Sequence, residues 1–276
     1  MPQPGLSPSR AADFARCPLL FRIRAVDRLP EPRTIAQARG TVVHLVMERL
    51  FDLPPSHRTP DGAVALIVTA VDDAVAKDPS IGALLATPES HNTFTSEVSE
   101  LVKSDFSLED PSRLQPEARE LWVEAPIGGE EPGASLNVRG YIDRLDVAPG
   151  SGALRIVDYK TGKAPKPAYR NEALFQLRCY ALALWRLRGV VPAMLQLLYL
   201  ASGQVLRAEP TQADLELTEA RLLGVWAGIV RSARTDQWPA ARGPLCPWCH
   251  FQSQCPAFGN PAPPTPQDIL ARLGVA

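Results

Sequence analysis

The sequence predicts an α/β protein built on a mixed central sheet flanked by helices. Two observations carry this. From residue 119 the apolar period changes to 2, giving three successive strands, RELWVEAPI, SLNVRGYIDRLDV and ALRIVDYKTG, separated by Gly- and Pro-bearing turns. Beyond them the pattern alternates, with a helix over 170–188, a buried strand over 194–201 and a helix over 211–234, an order that sandwiches a sheet between helical layers. At 276 residues and 45% apolar content, the chain is long enough to bury a substantial core.

The remaining elements follow in chain order. Ser7 followed by Pro8 reads as the N-cap and first turn of a short helix ending near Cys17. QARGTVVHLVMERLF, residues 37–51, reads as a helix with Gly40, His44 and Met47 on one face and Val43, Val46 and Leu50 on an apolar one. Residues 52–62 form a Pro- and Asp-bearing loop, 63–88 read as helical and acidic, and 89–117 have no clear period. We take 52–117 as a helical acidic insertion within a single domain spanning 1–276. QVLRAEP pairs with the strand before it, and a short amphipathic helix closes the chain near 267–274.

Net charge is only −1, but it is unevenly spread. Lys and Arg outnumber Asp and Glu by 8 to 4 in residues 1–50 and by 16 to 10 in 136–276, whereas 51–135 carry 5 against 16. Two basic ends therefore flank an acidic middle. Residues 1–10 lack the apolar core of a secretory signal, and no stretch approaches the roughly 20 apolar residues of a membrane span. The expected location is the cytoplasm, with no membrane partner.

A reducing compartment disfavours disulfides, so the five cysteines need another account. Cys246, Cys249 and Cys255, with His250 among them, lie in GPLCPWCHFQSQCPAFG, residues 243–259. The C-x-x-C-H pattern of haem attachment normally requires export, a thioredoxin-like pair would open a helix, and a zinc ribbon would need a second C-x-x-C pair. What remains is a trio that borrows a fourth thiolate. Cys179 lies in an apolar helical run and reads as core, while Cys17 precedes a proline, as do Cys246 and Cys255, and is the better fourth member. Four thiolates suit zinc or a 4Fe-4S cluster, and their spacing does not separate the two.

The densest chemistry lies in the second and third predicted strands. In RIVDYKTG, Asp158 and Lys160 share one face, and the strand before it carries Asp143 beyond Gly140. Two carboxylates and a lysine at a sheet's mouth suit a divalent cation and an attacking water. They would equally suit a cross-strand ion pair. Gln176 and Tyr180, spaced i,i+4, reach the same place from the following helix, and His44 offers a nitrogen ligand.

GTVVH at 40–44, GYID at 140–143, DYK at 158–160 and QLRCY at 176–180 occur in the order found in RecB-type nucleases of the PD-(D/E)xK superfamily, which this chain resembles. Cys17 with the C-x2-C-x5-C trio resembles the iron-sulfur subgroup, which includes AddB-type nuclease domains and CRISPR-adaptation exonucleases. The resemblance implies a restriction-endonuclease-like core. It implies that His44, Asp143 and Asp158 hold Mg2+ or Mn2+, with the Tyr159 carbonyl a further ligand, and that Lys160 positions or activates the water. Gln176 and Tyr180 would steady the lysine or a phosphate, and Glu124 is a candidate for outer-shell contact. Cys17, Cys246, Cys249 and Cys255 would carry a structural 4Fe-4S cluster, leaving His250 a bystander. Basic residues available to DNA are Arg10, Arg16, Arg22, Arg24 and Arg28 near the N-terminus, and Lys163, Lys166 and Arg170 in the loop leaving the DYK strand.

Two readings of function follow. One is a metal-dependent deoxyribonuclease, an exonuclease on single-stranded DNA or DNA ends in repair or processing. The other is a non-catalytic iron-sulfur DNA-binding module, or a subunit of a larger helicase-nuclease assembly. The chain has no P-loop, so any helicase motor would come from another chain.

Overall fold

The computed structural model describes residues 4–129 and 135–275. The turn between the first two predicted strands, at 130–134, lies outside the described residues, as do the first three residues of the N-terminal segment read for a signal.

The sheet is mixed and six-stranded: β1 (Gly5–Leu6), β2 (Pro116–Gly128), β3 (Ser135–Val147), β4 (Leu154–Lys160), β5 (Met194–Tyr199) and β6 (Gln204–Ala208). β2 runs antiparallel to β3 along nearly its whole length, occupying one edge of that strand. The other edge of β3 is shared. β1 pairs in parallel with its beginning, Gly5 with Asn137 and Leu6 with Val138, and β4 pairs antiparallel with its end, from Arg144 with Val157 to Val147 with Leu154. Between them, residues 139–143 of β3 have no strand neighbour on that edge. The sheet forks there.

Helices cover one face of the sheet and the β4–β5 part of the other. On one side lie α1 (Pro8–Arg16), α2 (Pro18–Phe21), α9 (Phe175–Arg188) and α10 (Gln212–Thr235), burying Leu19, Phe21, Leu177, Leu222 and Ile229 against Val123, Val138, Ile142 and Ile156. On the other lie α3 (Ile35–Leu50), α4 (Pro60–Ala65), α5 (Ile67–Lys77), α6 (Pro79–Leu84) and α7 (Pro88–Asp105), whose core includes Val157, Tyr159 and Leu198. None of the described helices is long and apolar enough to cross a membrane.

Local chemistry explains the boundaries. The Ser7 hydroxyl accepts from Arg10 N at the start of α1, as its sequence predicts. Thr34 and Gln37 form a reciprocal capping box at α3. The helical stretch expected over 63–88 is three helices, because Pro79 follows a cap at Asp78 and the chain turns at Leu66. Most of the stretch without a clear period is α7, which Thr87 caps and Pro88 opens. Its buried stripe, Phe94, Val98, Leu101 and Val102, is sparse among Ser, Thr and Glu. The helix expected over 170–188 breaks at Leu174 into α8 (Arg170–Ala173) and α9, and a π-helical turn, Arg22–Asp27, continues α2. Met47 lies in the core with Val43, Val46 and Leu50 instead of on the polar face beside His44.

The two ends of the chain meet. Trp238 stacks on Phe21 at 6.2 Å, Leu19 N donates to Pro239 O, and Arg22 is fully sequestered by Asp27, Thr265 Oγ1 and Pro263 O. Arg22 is only 3% exposed, which corrects its expected role as a DNA contact: it holds the C-terminal segment. The Cys17 Sγ accepts from Ala241 N at 3.5 Å, and the Cys246 Sγ accepts from Gly243 N at 3.3 Å, so both sulfurs border residues 241–243. Cys249 and Cys255 are half-buried against the neighbouring core. Among the described residues, no three cysteine sulfurs lie within 4.8 Å of one another. Cys179 is fully buried in α9, as core.

Candidate active site

The β3–β4 ladder ends at Arg144 and Val157. The next residues outward are Asp143 and Asp158, so two carboxylates stand opposite each other where the sheet opens. The opening is braced from below. Arg144, completely buried, bonds Glu109 after α7, Asp146 on its own strand and the Tyr159 hydroxyl on β4, which fixes the two strands at the point of divergence. With the strand partner gone, the Asp143 carboxylate accepts from Tyr159 N at 2.9 Å, replacing the missing ladder bond.

From α3, His44 reaches into the fork. Its Nε2 lies 3.0 Å from the Tyr159 carbonyl, an atom that can only accept, so Nε2 carries hydrogen. The tautomer thus set turns Nδ1 towards Asp143 Oδ2, 3.4 Å away, and Glu120 Oε1, 3.9 Å away. A carbonyl that orients a ring in this way is the usual outer support of a histidine ligand. In this geometry the Tyr159 carbonyl serves His44.

Glu120 is the residue that sequence reasoning missed. The flanking pairs Arg119 with Arg144 and Leu121 with Ile142 set it opposite Asp143, and its φ of 44° is left-handed, rare for a non-glycine residue. His44, Glu120 and Asp143 bring ligand atoms within 4.8 Å of one another. Glu124, the carboxylate expected here from the same strand, accepts from Asn137 Nδ2 farther along the sheet.

Lys160 lies on the opposite flank. Its Nζ is 2.7 Å from Asp158 Oδ2, a buried oxygen that receives no directed hydrogen bond, and donates to Gln176 Oε1 at 2.9 Å. Gln176 Nε2 donates in turn to the Tyr180 hydroxyl at 3.0 Å. Tyr180 packs against Gly140 so closely that a Cβ there would come within 2.6 Å of its ring. The glycine thus lets α9 bring its polar pair up to the fork.

The electrostatics follow from crowding. Burial, then the charge on Asp158, pushes Asp143 up to about 7. Burial opposes charge on His44, but Glu120, Asp143 and Asp158 outweigh it and raise it to about 9. Burial likewise works against the Lys160 ammonium, and Asp158 reverses this, so its pKa lies above the ordinary value. Lys160 is therefore a fixed cation. The crowded carboxylates and the oriented imidazole fit a divalent cation, which would relieve their repulsion.

The expected DNA contacts diverge. Lys163, Lys166 and Arg170 are exposed on the chain leaving β4. Arg16 pairs with Asp13, and Arg24 with Asp13 and Glu31. Arg10 and Arg28 border a cavity at the β1 edge of the sheet.

A sheet that forks onto paired carboxylates, a histidine and a fixed ammonium defines a protein equipped to hold a divalent cation beside a phosphate ester. Residues 5–256 match the family model described as the PD-(D/E)XK nuclease superfamily, and the chain belongs to that superfamily. The gene 69 protein of Mycobacterium phage L5 is 31% identical over 140 residues, covering 49% of this chain and 44% of the relative. The match thus spans less than half of that relative's length. The crystal structure of a proposed exonuclease from Eubacterium rectale superposes with a TM-score of 0.54 at 13% identity, covering 97% of this chain and 92% of that one, a likeness of fold.

Proposed function

We propose that this protein is a divalent-metal-dependent deoxyribonuclease that hydrolyses phosphodiester bonds from single-stranded DNA or DNA ends, in repair or processing. The observation that carries the reading is the fork itself, with Asp143 and Asp158 face to face, Lys160 paired to the second, and His44 and Glu120 closing the first. His44, Glu120, Asp143 and Asp158 hold the cation, Mg2+ or Mn2+. When bound, it supplies Lewis-acid charge to the scissile phosphate and acidifies the attacking water. Lys160, kept protonated by Asp158, positions that water and meets charge developing on the phosphate. Gln176 and Tyr180 hold the lysine in place. The Tyr159 carbonyl orients His44. Exposed Lys163, Lys166 and Arg170, with Arg10 and Arg16, supply phosphate contacts.

In the same reading, residues 1–276 form one nuclease domain with 52–117 inserted in it, and Cys17, Cys246, Cys249 and Cys255 carry a 4Fe-4S cluster. Backbone N–H bonds to the Cys17 and Cys246 sulfurs support this, since such bonds favour thiolates and tune clusters.

The test is a nuclease assay on end-labelled single- and double-stranded DNA with and without Mg2+ or Mn2+, run beside Lys160→Ala. Metal-dependent loss of label that Lys160→Ala abolishes is expected. Cleavage without added metal, or by Lys160→Ala at the wild-type rate, would sink the reading.

A further inference from the structure

One face of the β2–β3 pair is left uncovered beside the fork. Along β3, Arg139, Tyr141 and Asp143 alternate onto that face, and the register brings Glu124, Trp122 and Glu120 opposite them. Trp122 and Tyr141 are 46% and 53% exposed, with ring centroids 4.9 Å apart. Two large aromatics in contact and half in water, with no helix of the described residues burying them, are costly to leave bare unless something stacks on them. They stand two residues from Asp143, roughly 7 Å along the strand.

Two residues farther on, Arg139 folds its guanidinium over Gly5 of β1, where a Cβ would come within 2.6 Å of it. Arg10 and Arg28 join it around a cavity of about 200 Å3. Arg28 is held at the π-turn's end with φ 53°. Among the described residues, none of the three has a carboxylate partner within ion-pair distance, although Arg22, Arg24, Arg33, Arg39 and Arg49 nearby in sequence all do. Burial and the charges of Arg139 and Arg28 lower the Arg10 pKa, as expected where cations gather without an anion.

Resting on the nuclease reading, we infer that the exposed face of β2–β3 is a track for single-stranded DNA. Bases stack on Trp122 and Tyr141, and a backbone phosphate seats among Arg10, Arg28 and Arg139. The track starts at the fork and ends at the sheet edge, roughly 13 Å away along β3. That distance spans at most about four nucleotides at the duplex rise of roughly 3.4 Å. The occupant is single-stranded because paired bases offer no free face to an aromatic platform, whereas every unpaired base does.

The test uses the full chain in chelator, so that binding is read without chemistry. Labelled oligothymidylates of roughly 2 nucleotides, too short to reach from the aromatic pair to the arginines and the fork together, and roughly 12 nucleotides are titrated against wild type, Trp122→Ala, Trp122→Phe, and Arg139→Gln combined with Arg10→Gln. In wild type the longer strand should bind more tightly and quench tryptophan fluorescence. Trp122→Ala should weaken binding roughly 5- to 100-fold, and Trp122→Phe should retain affinity while losing part of the quenching. The double arginine variant should lower the log–log salt slope by roughly 0.7 for each lost contact and erase the advantage of the longer strand. Wild-type affinity in both the alanine and the arginine variants would overturn the track. So would a duplex of equal length that binds as tightly and loses as much in Trp122→Ala. Length-dependent binding without metal-dependent cleavage would instead refute the nuclease reading and leave the track standing.

Discussion

At the fork, two acidic side chains share a space that favours the charge of only one. In the metal-free protein Asp143 is raised from 3.8 to about 7 and His44 from 6.5 to about 9. Both therefore hold protons more tightly folded than unfolded, and the folded state binds the extra protons between about pH 4 and 9. Stability falls with rising pH wherever the native state holds more protons. The melting temperature of metal-free protein should accordingly drop from about pH 5 to 9, and Mn2+ should restore it by displacing those protons. A melting temperature that rises over this range would refute the assignment. Glu120 offers a second test, because its left-handed backbone costs on the order of 1 to 3 kcal/mol. Glu120→Gly should raise the melting temperature while weakening Mn2+ binding by about tenfold or more, measured by calorimetry. Lys160→Ala should keep the fold and lower cleavage by about a hundredfold or more.

Among the elements, Gly140 of β3 sets how near α9 can stand. Gly140→Ala would push Tyr180 away and, through it, Gln176 and Lys160. Cleavage should fall while Mn2+ affinity changes little, because the ligands lie on α3, β2, β3 and β4 and none on α9. Equal loss of both would show that the glycine supports the whole fork. Much at this scale was legible in the sequence, because β2, β3 and β4 alternate and β5 is a continuous apolar run, each bounded by turn residues. Asp143, Asp158 and Lys160 fall on β3 and β4, and His44, Gln176 and Tyr180 on α3 and α9, within the motifs by which the chain resembles the nuclease family. What escaped depends on pairing between distant segments. A period of 2 places Glu120, Trp122 and Glu124 on one face, but only the ladder with β3 decides which carboxylate meets Asp143. β1 is two residues long and exists because β3 offers it an edge. α7 escaped because its four buried apolar positions are diluted by polar residues on an exposed surface.

Across the whole molecule, the segments around Cys17 and Cys246 are joined by Trp238 on Phe21 and by Arg22 on the C-terminal stretch. The proposed cluster makes a sharp prediction here. Purified protein should be brown and contain iron; Cys17→Ala should lose the iron and melt at a lower temperature, and Cys179→Ala should keep it. Colourless protein with stoichiometric zinc would overturn the cluster. The fate of the basic residues also belongs to this scale: a run of arginines in sequence cannot reveal that Arg22 turns inward to the far end of the chain while Arg10 turns outward. The junction has a consequence in time. Cys17 and Ala241 are 224 residues apart, so at about 5 to 20 residues per second the ribosome needs roughly 10 to 45 s between making one side and making the other. β1 precedes Cys17 and the other five strands are made within that interval, so the whole sheet exists before the segment that closes the frame around it.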